Sequence, residues 1–170
     1  MKNKRLLRLV VTAMFAALIT GLTIFPKIPL PVGGYVHLGD AMIYLASSFL
    51  PLPYAVAAAI IGGGLADIIS GFVIYAPFTI IAKALLTLAF NGSNNKILTK
   101  RNRFAPIIGL IITPAVYLIA DTIIARSFAS AIPNMIWNFA QALASLIVYY
   151  IIGSAFDKLS LKHKLVTKFQ

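Results

Sequence analysis

The chain contains no cysteine, which excludes disulfides, thiolate nucleophiles and cysteine-based metal sites. Acids are almost as scarce: Asp40, Asp67, Asp121 and Asp157 are the whole set in 170 residues. No acidic pair of the hydrolase type, Gly-x-Ser-x-Gly elbow or His/Glu metal pattern appears. The two histidines, His37 and His163, are too far apart in sequence to suggest a metal site. Charge of any sign is sparse, at 11% of residues against about a quarter in a soluble domain. What fills the space is apolar: 60% of residues are hydrophobic and mean hydropathy is +0.91, so a soluble chain is excluded.

The net charge of +11 is concentrated. Twelve of the fifteen Lys and Arg residues fall in three clusters: Lys2, Lys4, Arg5, Arg8; then Lys96, Lys100, Arg101, Arg103; then Lys158, Lys162, Lys164, Lys168. Apolar stretches separate them, so the pattern marks the cytoplasmic ends of membrane helices rather than a nucleic-acid surface. Such clusters also suit contact with anionic headgroups.

A membrane helix needs about 20 apolar residues. The sequence predicts an all-α integral membrane protein, a single domain over 1–170 with six transmembrane helices: 6–25, 40–50, 54–70, 75–90, 106–125 and 133–156. The first has a basic start like a signal peptide, but lacks a clear short apolar core with a small-residue cleavage site, so it reads as a retained helix. A breaker-rich loop follows, with Pro26, Pro29, Pro31, Gly33 and Gly34. The second helix begins near Asp40 and must stop by Pro51, which is short for a span. Pro114 is expected to kink the fifth helix, and Pro133 suits a first turn of the sixth. Six spans put both termini and the 91–103 loop on one side, and all three basic clusters then become cytoplasmic. The connections 26–39, 71–74 and 126–132 face outward.

Polar residues inside the apolar field are costly and tend to face a cavity or a partner. Asp40, Asp67 and Asp121 all fall toward the outer ends of their helices, which points to an outward-opening pocket. Asn134, Asn138 and Gln141 lie at i, i+4 and i+7 on one face of the sixth helix, with Ser145 deeper and Trp137 beside them. Amides offer donors and acceptors to a heterocycle or hydroxylated ring, and Trp137 offers a stacking surface. The same residues would equally serve interhelical hydrogen bonding and an interfacial anchor. Lys83, in mid-helix, calls for a partner or water; an ion pair with Asp67 across the 71–74 turn is expected, with direct ligand contact as the alternative. Asp121 either meets a ligand or pairs with Arg126. Asp40 is placed to cap the second helix. His37 is a loop hydrogen-bonder or a ligand contact, and Tyr75 an interface aromatic or a pocket wall.

Small residues recur at i+4 steps along the first helix (Ala13, Ala17, Gly21) and the third (Ala58, Gly62, Ala66). Each row either packs internally or receives another helix. Gly62-Gly63-Gly64 lacks the Lys-Ser/Thr of a phosphate loop, so the chain has no ATPase motif of its own.

Three stretches together resemble a known family: Gly34-Tyr-Val-His-Leu-Gly-Asp-Ala-Met-Ile-Tyr-Leu, Gly64-Leu-Ala-Asp-Ile-Ile-Ser-Gly and Tyr75-Ala-Pro-Phe-Thr-Ile-Ile-Ala-Lys-Ala-Leu. They are similar to the S components of energy-coupling factor (ECF) vitamin transporters, in the riboflavin-transporter-like group. Ala13-Met-Phe-Ala-Ala17 also matches the Ala-x-x-x-Ala pattern by which those proteins dock on their membrane partner. The resemblance implies a non-enzymatic transport subunit of the cell membrane that binds a vitamin from outside. It implies release inward in a complex with a coupling membrane subunit and two ATPase subunits, with no cofactor. The 1–2 loop, here Gly33, Gly34, Tyr35 and on to His37, would cover the site. Tyr75, Thr79, Asp121 and the run Asn134 to Gln141, including Trp137 and Asn138, would supply contacts. The amides fit a single-ring vitamin of the hydroxymethylpyrimidine or pyridoxine type, and riboflavin stays open. A self-sufficient secondary carrier and a lipid-modifying membrane enzyme are the competing classes. The first lacks a visible internal repeat, and the second lacks paired acids or a metal pattern at headgroup level.

Overall fold

The computed structural model describes residues 2–30 and 33–164; Pro31 of the first loop and Lys168 of the third basic cluster lie outside them. Its helices are α1 (Lys2–Ile24), α2 (Gly39–Phe49), α3 (Leu52–Ile69), α4 (Ala76–Leu88), α5 (Lys100–Ala125) and α6 (Phe128–Lys158). A 3-10 turn, Val73–Tyr75, leads into α4. A two-residue hairpin joins α1 to α2, with β1 (Ile28–Pro29) antiparallel to β2 (Tyr35–Val36).

By length and composition, α1, α3, α5 and α6 are able to cross a membrane, and Val73–Leu88 forms a shorter apolar helix. Large apolar side chains such as Leu65, Ile111, Ile123, Ile136 and Ile151 point outward all around the bundle. That belt is the surface expected where the solvent is lipid.

Helix α2 is short because Pro51 follows it, and it lies wholly inside: all its residues are buried. The other five helices form an arc around it, through α1–α3, α3–α4, α4–α5 and α5–α6 contacts, while α1 and α6 each pack on α2. The α1–α3 seam is close because Gly62 has no side chain; a Cβ there would come within 2.8 Å of the Ala16 carbonyl. Thr20 Oγ1 donates to the Gly62 carbonyl at 3.0 Å across the same seam. The Ala58, Gly62 and Ala66 row is therefore internal packing, whereas Ala13, Ala17 and Gly21 are exposed on α1.

Several boundaries differ from expectation. Helix α5 starts at Lys100, where Thr99 Oγ1 accepts from the Asn102 N–H, and it runs through Pro106 as well as Pro114. Helix α6 starts at Phe128, where Ser127 Oγ accepts from the Ser130 N–H; Pro133 sits beyond the first turn. Only Arg126, in a left-handed conformation, and Ser127 separate the two helices, so there is no 126–132 loop. In both cases a Ser/Thr cap sets the start, and the proline is carried inside the helix.

The end with the basic clusters is held by polar contacts rather than left as a solvated fringe. Asp157 accepts from the Ile97 and Leu98 N–H groups at 2.7 and 2.9 Å. Lys162, only 1% exposed, donates to the carbonyls of Ser48 at 2.6 Å and Gly92 at 2.9 Å. The arrangement closes the C-terminal end of α2.

Candidate functional site

At the opposite end, the hairpin folds over the mouth of the bundle. Its turn contains Gly33 at φ +108° and Gly34 at φ +77°, conformations that L side chains rarely adopt. Both glycines lie against the Tyr75 ring, and Tyr75 Oη donates to Asp121 Oδ1 at 2.7 Å. Asn134 Nδ2 reaches the Gly33 carbonyl at 3.1 Å and Asp121 Oδ2 at 3.2 Å. Tyr35 Oη donates to Asp67 Oδ1 at 3.0 Å. The turn is thereby tied to α3 through Asp67, to α6 through Asn134, and, through Tyr75 of the 3-10 turn, to Asp121 of α5.

Beneath it lies a small cavity of about 20 Å³, lined by Gly33, Gly34, Tyr35, Asp67, Tyr75, Asp121 and Asn138 with Leu30, Phe72 and Tyr117. Its polar groups are incompletely used. Asp67 Oδ2 and Asn134 Oδ1 are buried and have no hydrogen-bond partner among the described residues. Asn138 is 3% exposed and makes no side-chain hydrogen bond among those residues, so its amide faces the cavity free. Buried polar groups are normally paired, and unpaired ones concentrated at a cavity are what ligand donors and acceptors would satisfy.

Below the cavity is a buried network. Lys83 Nζ lies 2.6 Å from Asp40 Oδ1, and Gln141 Nε2 donates to Asp40 Oδ2 at 3.1 Å. Gln141 Oε1 in turn accepts from the His37 N–H at 3.0 Å. Lys83 also sits 5.4 Å from the centre of the Tyr117 ring, whose hydroxyl is 2.9 Å from Thr79 Oγ1. This corrects two expectations. Lys83 pairs with Asp40, not with Asp67, because α2 at the centre of the bundle brings Asp40 to it. Asp40 does not cap its helix either: Leu38 holds the cap position with no side-chain bond, and the Asp40 carboxylate turns inward.

Asp121 likewise pairs with Tyr75 and Asn134 instead of Arg126. His37 is buried and its Nδ1 accepts from the Gly39 N–H at 3.0 Å. Burial, with the Lys83 charge nearby, holds its imidazole down at about 3, so it is neutral at physiological pH. Trp137 does not join the cavity: it is 47% exposed and lines a separate side groove with His37, Gln141, Pro26 and Val36. On α6 it lies on the flank of the amide stripe. Ser145 is fully buried deeper on that stripe, its hydroxyl unpaired.

Four lining residues, Leu30, Asp67, Phe72 and Tyr117, are not among the contacts that the sequence suggests. Asp67 counts in the sequence as one of three acids near an outward-opening pocket and as the expected partner of Lys83, and the structure places it on the cavity wall without that ion pair. Tyr117 was passed over, although it stands four residues before Asp121, on the same face of α5. That spacing was the signal.

A cavity with polar lining under a hairpin, at one end of an apolar helix bundle with a lipid-facing belt, fits a multi-pass membrane protein. No curated protein matches the chain. Residues 3–158 match the family model described as "ECF-type riboflavin transporter, S component", and the chain belongs to that family. It is a transport subunit and not an enzyme, and membership implies a vitamin as its ligand and an ECF module as its partner.

Proposed function

We propose that the cavity beneath the Gly33–Tyr35 turn captures a vitamin with high affinity from the outer side of the plasma membrane. The ligand is then released inward when the chain is docked on a coupling membrane subunit driven by two ATPase subunits. The observation that carries this reading is the Asn138 amide, without a hydrogen bond among the described residues, at a cavity that also has an unpaired acceptor on Asp67, with the unpaired Asn134 oxygen buried behind Gly33 and Asp121. Both termini and the 91–103 loop are cytoplasmic in this reading, because the clustered cations resist translocation. The exposed Ala13, Ala17 and Gly21 row is the docking face, since small side chains let a partner helix approach closely.

Riboflavin is the first ligand to test, in keeping with the family. Its isoalloxazine and ribityl groups carry donors and acceptors for Asp67, Asn134 and Asn138. The cavity has room for about one water, so a flavin enters only after the hairpin turn moves away. The small volume favours a second reading, a single-ring vitamin of the hydroxymethylpyrimidine or pyridoxine type, only in that a smaller ligand needs less opening of the turn. Calorimetric titration of the detergent-purified chain with riboflavin, pyridoxine and hydroxymethylpyrimidine separates them. Saturable one-to-one binding of riboflavin alone is the expected result. Binding of only a single-ring compound would move the assignment to the second reading, and no binding of any would overturn the site.

A further inference from the structure

A large apolar depression lies away from the vitamin site. It opens where the arc of helices stays apart, between α1 and α6, with α2 as its floor. Its volume is about 520 Å³ and every residue that lines it is apolar, including Leu7 and Leu18 of α1, Met42 and Phe49 of α2, and Phe156 of α6. From Leu7 to Leu18 the helix rises roughly 16 Å at 1.5 Å per residue. Half of a bilayer's hydrocarbon core is about 15 Å. The groove is one leaflet deep.

Its charges lie at one end only. Lys4 stands three residues before Leu7, Lys96 is next to Ile97, and Lys158 is two residues beyond Phe156; all three lysines are exposed, and Ile97 and Phe156 line the groove. The one acid at this end, Asp157, already has both oxygens bound by the Ile97 and Leu98 N–H groups. Asp40, Asp67 and Asp121 are at the other end, in and below the vitamin cavity.

We propose that this groove holds an acyl chain of an anionic phospholipid, with the phosphate at Lys4, Lys96 and Lys158. The depth matches one leaflet, and the cations sit where headgroup phosphates of that leaflet lie. A partner helix would cross both leaflets and would not require a cationic rim at one end. The inference rests on the chain being embedded in a membrane and not on which vitamin it binds.

The test is native mass spectrometry of the full chain in detergent, with phosphatidylglycerol or phosphatidylcholine of the same acyl chains added. One retained phosphatidylglycerol is expected, held more tightly than phosphatidylcholine. Met14→Trp, which fills the groove from an exposed position, should weaken retention of both lipids at least about tenfold. Replacing Lys4, Lys96 and Lys158 by Gln should remove the preference for phosphatidylglycerol, at about fivefold per lysine, while leaving chain binding in place. A single symmetrical size-exclusion peak and an unchanged thermal unfolding midpoint report that each variant is folded. No retained lipid, or retention unchanged by Met14→Trp, would overturn the site. Equal retention of the two lipids by the unmodified chain would overturn the headgroup assignment. Met14 cross-linking to the coupling subunit in a lipid-free complex would give the groove to that subunit instead.

Discussion

Lys83 and Asp40 stand 43 residues apart in sequence, yet their charged atoms lie 2.6 Å apart with both side chains closed off from the surface. A buried pair of this kind is strongly destabilising to break, because the survivor is left as an uncompensated charge. Lys83→Met or Asp40→Asn alone should cost about 3–5 kcal/mol in unfolding free energy. The double variant should cost less than the sum of the two. Denaturant unfolding in detergent reads this, and Asp67→Asn is the control. If Asp67→Asn reproduced the Lys83→Met loss, Asp67 would be the working partner after all.

The amides of α6 divide by role. Asn138 makes no bond among the described residues, so Asn138→Ala should leave the unfolding midpoint unchanged. It should weaken vitamin binding about five- to a hundredfold, the effect of one unmade hydrogen bond in a desolvated site. Gln141 holds Asp40 and the His37 backbone, so Gln141→Ala should lower both affinity and stability. Paired calorimetry and thermal unfolding separate the two patterns. An Asn138→Ala variant with unchanged affinity would take that amide out of the site.

How far the sequence foretold this depends on range. The basic clusters and apolar stretches located the six helices, because both signals are local. The i, i+4, i+7 spacing of Asn134, Asn138 and Gln141 put them on one buried face, as the helix period requires. Helix starts were misread where a proline outweighed a weaker cap, at Thr99 and Ser127. The Asp40–Lys83 pair was hidden for another reason. Nothing in the sequence said that a helix of 11 residues would be enclosed by the other five, and only that enclosure brings α2 against α4. Trp137 was drawn to the amide stripe by proximity in sequence, although a step of about 100° per residue turns it to the flank.

The hairpin turn should govern release. Gly33 and Gly34 both adopt positive φ, which costs an L residue roughly 1–2 kcal/mol. Gly33→Ala and Gly34→Ala should each destabilise the closed turn and speed vitamin dissociation about five- to thirtyfold. A chase experiment in a stopped-flow instrument measures this. Unchanged dissociation in both variants would mean that the turn does not hold the ligand in.

Docking should be separable from binding. Ala13 and Ala17 are exposed, so Leu or Trp at both positions has room in the isolated chain and blocks only close approach by a partner helix. Vitamin binding by the purified chain should persist while uptake by the full complex is lost. Uptake at the normal rate would remove this face from docking.

The last expectation concerns pH. Lys162 is enclosed by the Ser48 and Gly92 carbonyls, and burial brings its ammonium down from the ordinary value of 10.5 to about 8. Below pH 8 both folded and unfolded chains carry the proton, and this residue gives no slope. Between about 8 and 10.5 the folded chain has lost the proton that the unfolded chain still binds, so stability should rise with pH through that window. The measurement is therefore the difference in Tm between the unmodified chain and Lys162→Met, followed from pH 7.5 to 10. That difference should shift in favour of the unmodified chain as pH rises. A constant difference would show that Lys162 titrates like an exposed lysine and that the end of α2 is open to water.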